Sequence, residues 1–216
     1  RIIFNSALPE SFGFVNKLMN RKELGNLISA HIDKYGIENM WEILDKIKTL
    51  GFFYATFSGV SWGMDDLTVP EDKQKIIIEA ENEENLVRNQ YKEGLLTDAE
   101  RYMRIINIWD KVKDKISSIV PKTLNPYNSV FYIIDSGARG SWSPLVQMMG
   151  MKGLVSNPQG ETIELPIKSS YKEGLTVLEF FINTHGARKG LTDTALKTAS
   201  AGYLTRRLVD VSQDLI

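Results

Sequence analysis

Cysteine is absent from this 216-residue chain. Its absence excludes a disulfide framework and any thiolate zinc site within these residues. Histidine is scarce, and His31 and His185 are too far apart to make a metal-ligand spacing. No apolar run approaches the roughly 20 residues of a membrane-spanning helix, and no signal-peptide pattern stands at the first residues. A phosphate loop, a dinucleotide fingerprint and an HExxH motif are also missing. The net charge of −1 excludes little, because basic and acidic segments cancel. Composition is ordinary for a globular protein, with 43% hydrophobic and 25% charged residues. The length suits one large domain or two small ones. Position 1 is arginine and the chain starts directly in RIIFNSALP, so both ends read as cuts from something longer.

Periodicity predicts a mainly α fold with a few short strands. Arg1–Leu8 reads as a strand stopped by Pro9. Residues 15–32 read as a helix, with Val15, Leu18, Met19, Leu24, Leu27, Ile28 and Ile32 near helical spacing. A second helix is expected from about Ile37 to Thr49, with Met40, Trp41, Leu44 and Ile47 inward and Gly51 as its stop. Residues 51–67 then read as a tightly packed turn region rich in aromatics and glycine. From Pro70 an acid-rich helical pattern runs to Gly94, and Thr97-Asp98-Ala99-Glu100 is a capping box opening another helix to about Val120. Tyr102, Ile105, Ile106, Trp109, Val112, Ile116 and Ile119 form its apolar side. Two helices of similar length across so short a break make an antiparallel hairpin. It either completes a core or serves as a docking arm.

A two-proline connector (121–129) leads to NSVFYIIDSGARGS, then to a weak helix and loop over 142–157, a turn at Asn157–Gly160 and a strand-like ETIELPI. About Thr176–Asp214 reads as one long helix of roughly 58 Å, too long for a small domain to enclose. Within it THGARKGLTDTALKTASAGYLTRRLVDV carries Gly186, Gly190 and Gly202 in helix-interior positions. Each such glycine costs on the order of 1 kcal/mol against alanine, so the helix is expected to bend and to need outside support. Arg188, Lys189, Lys197, Arg206 and Arg207 face only Asp193 between His185 and Arg207, a balance suited to phosphate. Arg188 and Arg206 share a face and Lys197 lies opposite, a pattern for a helix contacted on several sides. Each feature also has a plainer reading. SGARGS fits a tight turn with a solvated arginine, the basic residues fit a solvated helix, His185 fits an ordinary half-buried histidine, and Tyr203 fits either core or a base-stacking platform.

The stretch THGARKGLTDTALKTASAGYLTRRLVDV resembles the bridge helix of the largest (beta-prime) subunit of bacterial-type multisubunit RNA polymerase. Other segments resemble the same family in the same order: NSALPE (5–10) the pore, GFFYATFSGVSWGMDDLTVPEDK (51–73) the funnel, ERYMRIINIWDK the secondary-channel rim, and NSVFYIIDSGARGS with GMKGLV (150–155) the F-loop region. The resemblance divides the chain into a pore-region segment (1–50), a funnel with the rim-helix hairpin at about 70–120 (51–125), and the F-loop region with the bridge helix at about 176–214 (126–216). WSPLVQMM (142–149) departs from the basic, glutamine-rich helix that follows SGARGS in the family.

The resemblance implies DNA-directed nucleotidyl transfer extending RNA, with no catalytic residue and no metal ligand in this fragment. The family's NADFDGD motif, which holds the catalytic magnesium, would lie upstream, and its trigger loop and zinc cluster downstream. The fragment alone would be inactive. Arg139 would contact the incoming triphosphate, and Lys197, Thr198 and Ala199 would face the template base. Tyr203, Arg206 and Arg207 would lie along the template strand. Gly186, Arg188 and Gly190 would form the hinge. Implied partners are the beta, alpha, omega and sigma subunits, DNA template and RNA, nucleoside triphosphates, and transcript-cleavage and stringent-response factors on the rim, with no membrane. The implied location is the cytoplasm beside the nucleoid, or a plastid. The other class of function the residues allow is a stand-alone nucleic-acid-binding scaffold module with a helical docking arm.

Overall fold

A computed structural model of the chain describes residues 1–9, 12–38 and 40–215. In chain order its helices are α1 (Ile2–Asn5), α2 (Arg21–Tyr35), α3 (Met40–Ser58), α4 (Lys73–Lys92), α5 (Asp98–Thr123), α6 (Ser129–Asp135), α7 (Trp142–Leu145) and α8 (Val177–Ser212). The mainly helical class is borne out. Among the described residues extended pairing is limited to two isolated antiparallel bridges, Gly153 with Ile167 and Ser156 with Thr162. The expected strand at 161–167 is thus two single pairings. No helix among the described residues is long and apolar enough to cross a membrane. Two compact units interleave along the chain: residues 1–68 with 121–145, and residues 69–120 with 146–216.

In the first unit the expected strand at the start is a helical turn. Asn5 explains it: its side chain accepts from Val15 N–H (2.7 Å) and donates to Val15 C=O (3.0 Å), taking both groups that a neighbouring strand would need. The predicted helix at 15–32 begins later, at Arg21, because the Asn20 side chain accepts from Glu23 N–H at 2.9 Å and caps it. Helix α3 overruns its predicted stop. Gly51 sits inside it, and the chain leaves the helix at Gly59, whose φ of +59° a side chain would oppose. Met40 and Ile43 are buried, whereas Trp41 and Leu44, expected inward, are 63% and 42% exposed. Phe52, Phe53 and Phe57 are exposed on the same helix.

The second unit is built on the hairpin of α4 and α5. The capping box forms as read, with Thr97 N–H donating to Glu100 at 2.9 Å and Glu100 N–H to Thr97 Oγ1 at 3.3 Å. Trp109 Nε1–H donates to Glu84 (3.0 Å) and Arg104 to Gln90 (3.2 Å), so partners on the two helices run in opposite directions. Ile105, Trp109, Val112, Ile116 and Val120 are buried along one side of α5. Residues 146–172 cover that side. Val146–Gly150 make a π-helical turn closed by Met151 N–H to Val146 C=O at 2.9 Å, with Val146 and Met149 buried. The departure at WSPLVQMM therefore places apolar side chains in this core. Nearer the hairpin tip, Tyr102 Oη–H donates to Thr162 C=O (2.8 Å), and Arg101 pairs with Glu164.

Helix α8 starts where Thr176 and Glu179 cap it reciprocally. Its first turns pack on a small core of Val155, Ile167 and Ile182, with Ile163 and Leu175 at the edge. Ile182 is its one buried residue among those described. From Leu191 on, Leu191, Leu196, Leu204, Leu208 and Val209 are exposed, and at helical spacing they point in several directions round the axis. This chain leaves that much apolar surface of the helix uncovered. Hydroxyls back-bond along it: Thr194 to Gly190 C=O (2.8 Å), Thr198 to Thr194 C=O (2.7 Å) and Thr205 to Ala201 C=O (2.9 Å). Such bonds weaken and bend helices slightly.

Candidate nucleic-acid interface

Arg139 lies in the first unit, in the turn that follows α6. Asn128 fixes the start of that helix by accepting from Val130 N–H (2.8 Å) and donating to Asp66 C=O (2.7 Å). The turn needs Gly137 and Gly140, at φ +69° and +76°. Arg21 N–H donates to Ser136 C=O at 2.9 Å, which seats the turn on the start of α2. Arg139 itself is exposed. An exposed guanidinium on a backbone fixed by two glycines and two anchored helices can offer its fork of donors to an anion.

The remaining predicted residues all lie on α8, in the second unit. Ala199, Tyr203 and Arg206 fall within about 60° of one another around the axis, together with Arg188, and Arg207 lies beside them. Lys197 is on the far side and Thr198 between, so the helix has no single basic stripe. Lys197 and Arg206 make exposed pairs with Asp193 (4.0 Å) and Asp210 (3.8 Å). Pairs this exposed contribute little and leave both cations free to exchange partners. The Arg207 guanidinium lies over the Tyr203 ring at 4.6 Å from its centroid. Tyr203 is 62% exposed and so is not core in this chain. His185 is half-buried, edge-on to Phe181 at 5.7 Å, as its plainer reading had it.

The three glycines of α8 are not alike. A side chain at Gly186 would stand 3.2 Å from Val155, so close packing explains glycine there. At Gly190 and Gly202 a Cβ would meet nothing within 4 Å. Packing within this chain gives no reason for glycine at those two positions.

Sequence reading missed the residues that hold α8 in place. Glu179 accepts from Lys168 N–H (2.9 Å), Ser169 N–H (3.1 Å), Ser169 Oγ–H (2.9 Å), Thr176 N–H (3.0 Å) and Thr176 Oγ1–H (2.9 Å). Burial works against its charged form, but these donors outweigh it and hold the carboxyl at about 2. The spacing Thr176-x-x-Glu179 is itself a capping-box pattern and was the available signal. A carboxylate with a depressed pKa stabilises the fold in full above its ordinary value and loses that contribution as pH falls through the folded one. The stability difference between the wild-type chain and Glu179→Gln should therefore be constant above pH 4.5 and shrink toward pH 2. Urea titrations at pH 7 and pH 3 read it, and equal differences at both would show that the charge is not what matters.

Three consecutive stretches match consecutive domains of one family. Residues 1–67 match RNA polymerase Rpb1, domain 3; residues 77–172 match domain 4; residues 174–216 match domain 5. Over all 216 residues the chain is 49% identical to the DNA-directed RNA polymerase subunit beta' of Heliobacterium modesticaldum, covering 18% of that protein. It is 47% identical to the same subunit of Desulforamulus reducens, again covering 18%. With that of Methylacidiphilum infernorum it shares 48% identity while covering 16%. The chain belongs to the RNA polymerase beta-prime family.

The chain spans 16–18% of the length of these beta-prime subunits. Among the described residues no group of three or more His, Cys, Asp or Glu could hold a metal. The described residues therefore do not fit the magnesium and zinc that the resemblance implies for the whole subunit.

Proposed function

We propose that this chain is the part of a DNA-directed RNA polymerase that guides nucleotides to the active centre and supports the template there. The polymerase extends RNA by attack of its 3′-hydroxyl on a nucleoside triphosphate, and phosphoryl transfer of this kind rests on positioning and charge neutralisation. The observation that carries the reading is α8: a 36-residue helix with most of its basic residues on one side and exposed apolar residues in several directions, suited to enclosure by a larger assembly. Arg139 binds the triphosphate through its fork of donors. Lys197, Thr198 and Ala199 face the template base, where small side chains allow close approach. Tyr203, Arg206 and Arg207 track the template backbone, and Gly186, Arg188 and Gly190 form the hinge at which the helix bends as the enzyme advances. The other subunits, DNA, RNA and nucleotides are the partners this assigns.

In the assembled enzyme Arg139→Ala should raise the nucleotide concentration for half-maximal elongation about tenfold or more, the scale of one lost charge-assisted contact. DNA affinity should hardly change. Weakened DNA binding with unaltered nucleotide dependence would remove Arg139 from the triphosphate. The tip of the α4–α5 hairpin, near Gly94–Asp98, is the docking point for factors that act through the nucleotide channel. Replacing residues 85–105 by a short linker should abolish binding of transcript-cleavage factor in a pull-down, and full retention would place the dock elsewhere.

A further inference from the structure

The base of the hairpin and the start of α8 are joined by a continuous set of charged and hydroxyl groups. Lys73, at the first turn of α4, is 2% exposed, and its ammonium pairs with Glu173. Glu173 also accepts from Ser170 N–H (2.9 Å) and Ser170 Oγ–H (2.8 Å). The next residue back, Ser169, donates its N–H and hydroxyl to Glu179 on α8. Lys168 makes a second path: its N–H donates to Glu179, its ammonium pairs with Glu81 of α4 at 2.7 Å, and it sits 5.2 Å from the ring centroid of Trp109 on α5. On the opposite side the segment is held to the π-turn by Tyr171 N–H to Gln147 C=O (3.2 Å) and Lys172 N–H to Met148 C=O (3.0 Å).

Residues 168–173 thus touch α4, α5, the π-turn and α8 within six positions. A buried ammonium must keep its carboxylate, because an unpaired buried charge is strongly unfavourable. Glu173 therefore cannot leave Lys73, and it carries Ser170 with it. Glu179 has both oxygens engaged and is held ionised, so it cannot release Ser169 by taking up a proton near neutral pH. The path through Lys73, Glu173 and Glu179 is therefore the firm one, and the half-exposed Lys168–Glu81 pair adds to it.

We propose that residues 168–173 are a clasp that fixes where α8 begins relative to the α4–α5 hairpin, with Lys73, Glu173 and Glu179 as positioning residues for the template-supporting helix. The inference rests on the polymerase reading of α8. It adds that a load on the hairpin reaches the first turns of α8 through these side chains.

The test uses the assembled polymerase carrying Lys73→Met, Glu179→Gln, or both. Lys73→Met removes the buried charge while keeping the bulk of the stem, and Glu179→Gln keeps one acceptor oxygen, so both variants should fold and assemble. Amide hydrogen exchange over residues 168–185 should accelerate in each, roughly 3- to 30-fold, the range such networks transmit. Maximal elongation rate should fall several-fold while the half-saturating nucleotide concentration stays near wild type. The double variant should be no worse than the more severe single, since both changes open one clasp. Effects that multiply in the double variant, or unchanged exchange in either single, would overturn the clasp. Arg206→Ala separates the clasp from the reading beneath it. If Arg206→Ala slows elongation and the faster-exchanging clasp variants do not, the clasp has no positioning role and the polymerase reading of α8 stands. If Arg206→Ala and the clasp variants all elongate at the wild-type rate, both fall.

Discussion

Gly190→Pro should reduce elongation by the assembled enzyme by about 100-fold or stop it. Proline inside a helix costs about 3 kcal/mol, which corresponds to roughly two orders of magnitude in an equilibrium. Residue 190 lies in the middle of a continuous helical stretch, so its N–H is a ladder donor that proline lacks. The ring would also fix one bend where the proposed function needs the helix both straight and bent. Gly190→Ala is the informative companion. A Cβ there meets nothing within 4 Å in this chain, and the change stiffens the helix by about 1 kcal/mol. A helix that works by bending should then step more slowly, with nucleotide affinity unchanged. Single-round elongation assays with both variants decide it. If both elongate at the wild-type rate, softness at Gly190 has no part in the cycle.

Trp109→Ala should lower the stability of the second unit by about 3–5 kcal/mol, the cost of emptying a fully buried aromatic site. Trp109 is 0% exposed. Its indole N–H donates to Glu84 of α4 at 3.0 Å, the Lys168 ammonium lies over its ring, and Ile105 and Val112 flank it on the buried side of α5. Losing it loosens the hairpin and takes away the ring beneath Lys168, which keeps its pair with Glu81. Since a domain commonly has only about 5–15 kcal/mol in total, the variant should lose a large share of its stability. Trp109→Phe keeps most of the ring, loses one hydrogen bond and should cost only about 1–2 kcal/mol. Urea titration followed by far-ultraviolet circular dichroism gives both values. A Trp109→Ala chain within about 1 kcal/mol of wild type would show that this core is not centred on the indole.

The contrast between these two residues shows what the sequence made legible. The α4–α5 hairpin could be read because strong helical periodicity, a capping box and a short break agree. Helix α8 could be read because its length outweighs its glycines. The start of the chain was misread because Ile2, Ile3 and Phe4 look like a strand, and only the long-range pairing of Asn5 with Val15 makes a helical turn instead. Gly51 was misread as a stop because a lone glycine is a weak signal against the aromatic residues that carry α3 onward. The basic residues of α8 were visible one by one, yet the contacts that hold the helix were not. Lys73 and Glu173 are a hundred positions apart, and no local pattern pairs them.

The threonines of α8 have a consequence for how the helix can change shape. In a plain helix, opening one turn strands a carbonyl with no donor until water reaches it. The Gly190 carbonyl has a second donor in the Thr194 hydroxyl at 2.8 Å, and the Thr194 carbonyl has one in Thr198. If the proposed bending parts a peptide N–H from its carbonyl, the hydroxyl is a second donor already in place. Alanines at the same positions would offer none, which matters most if the helix is enclosed away from water.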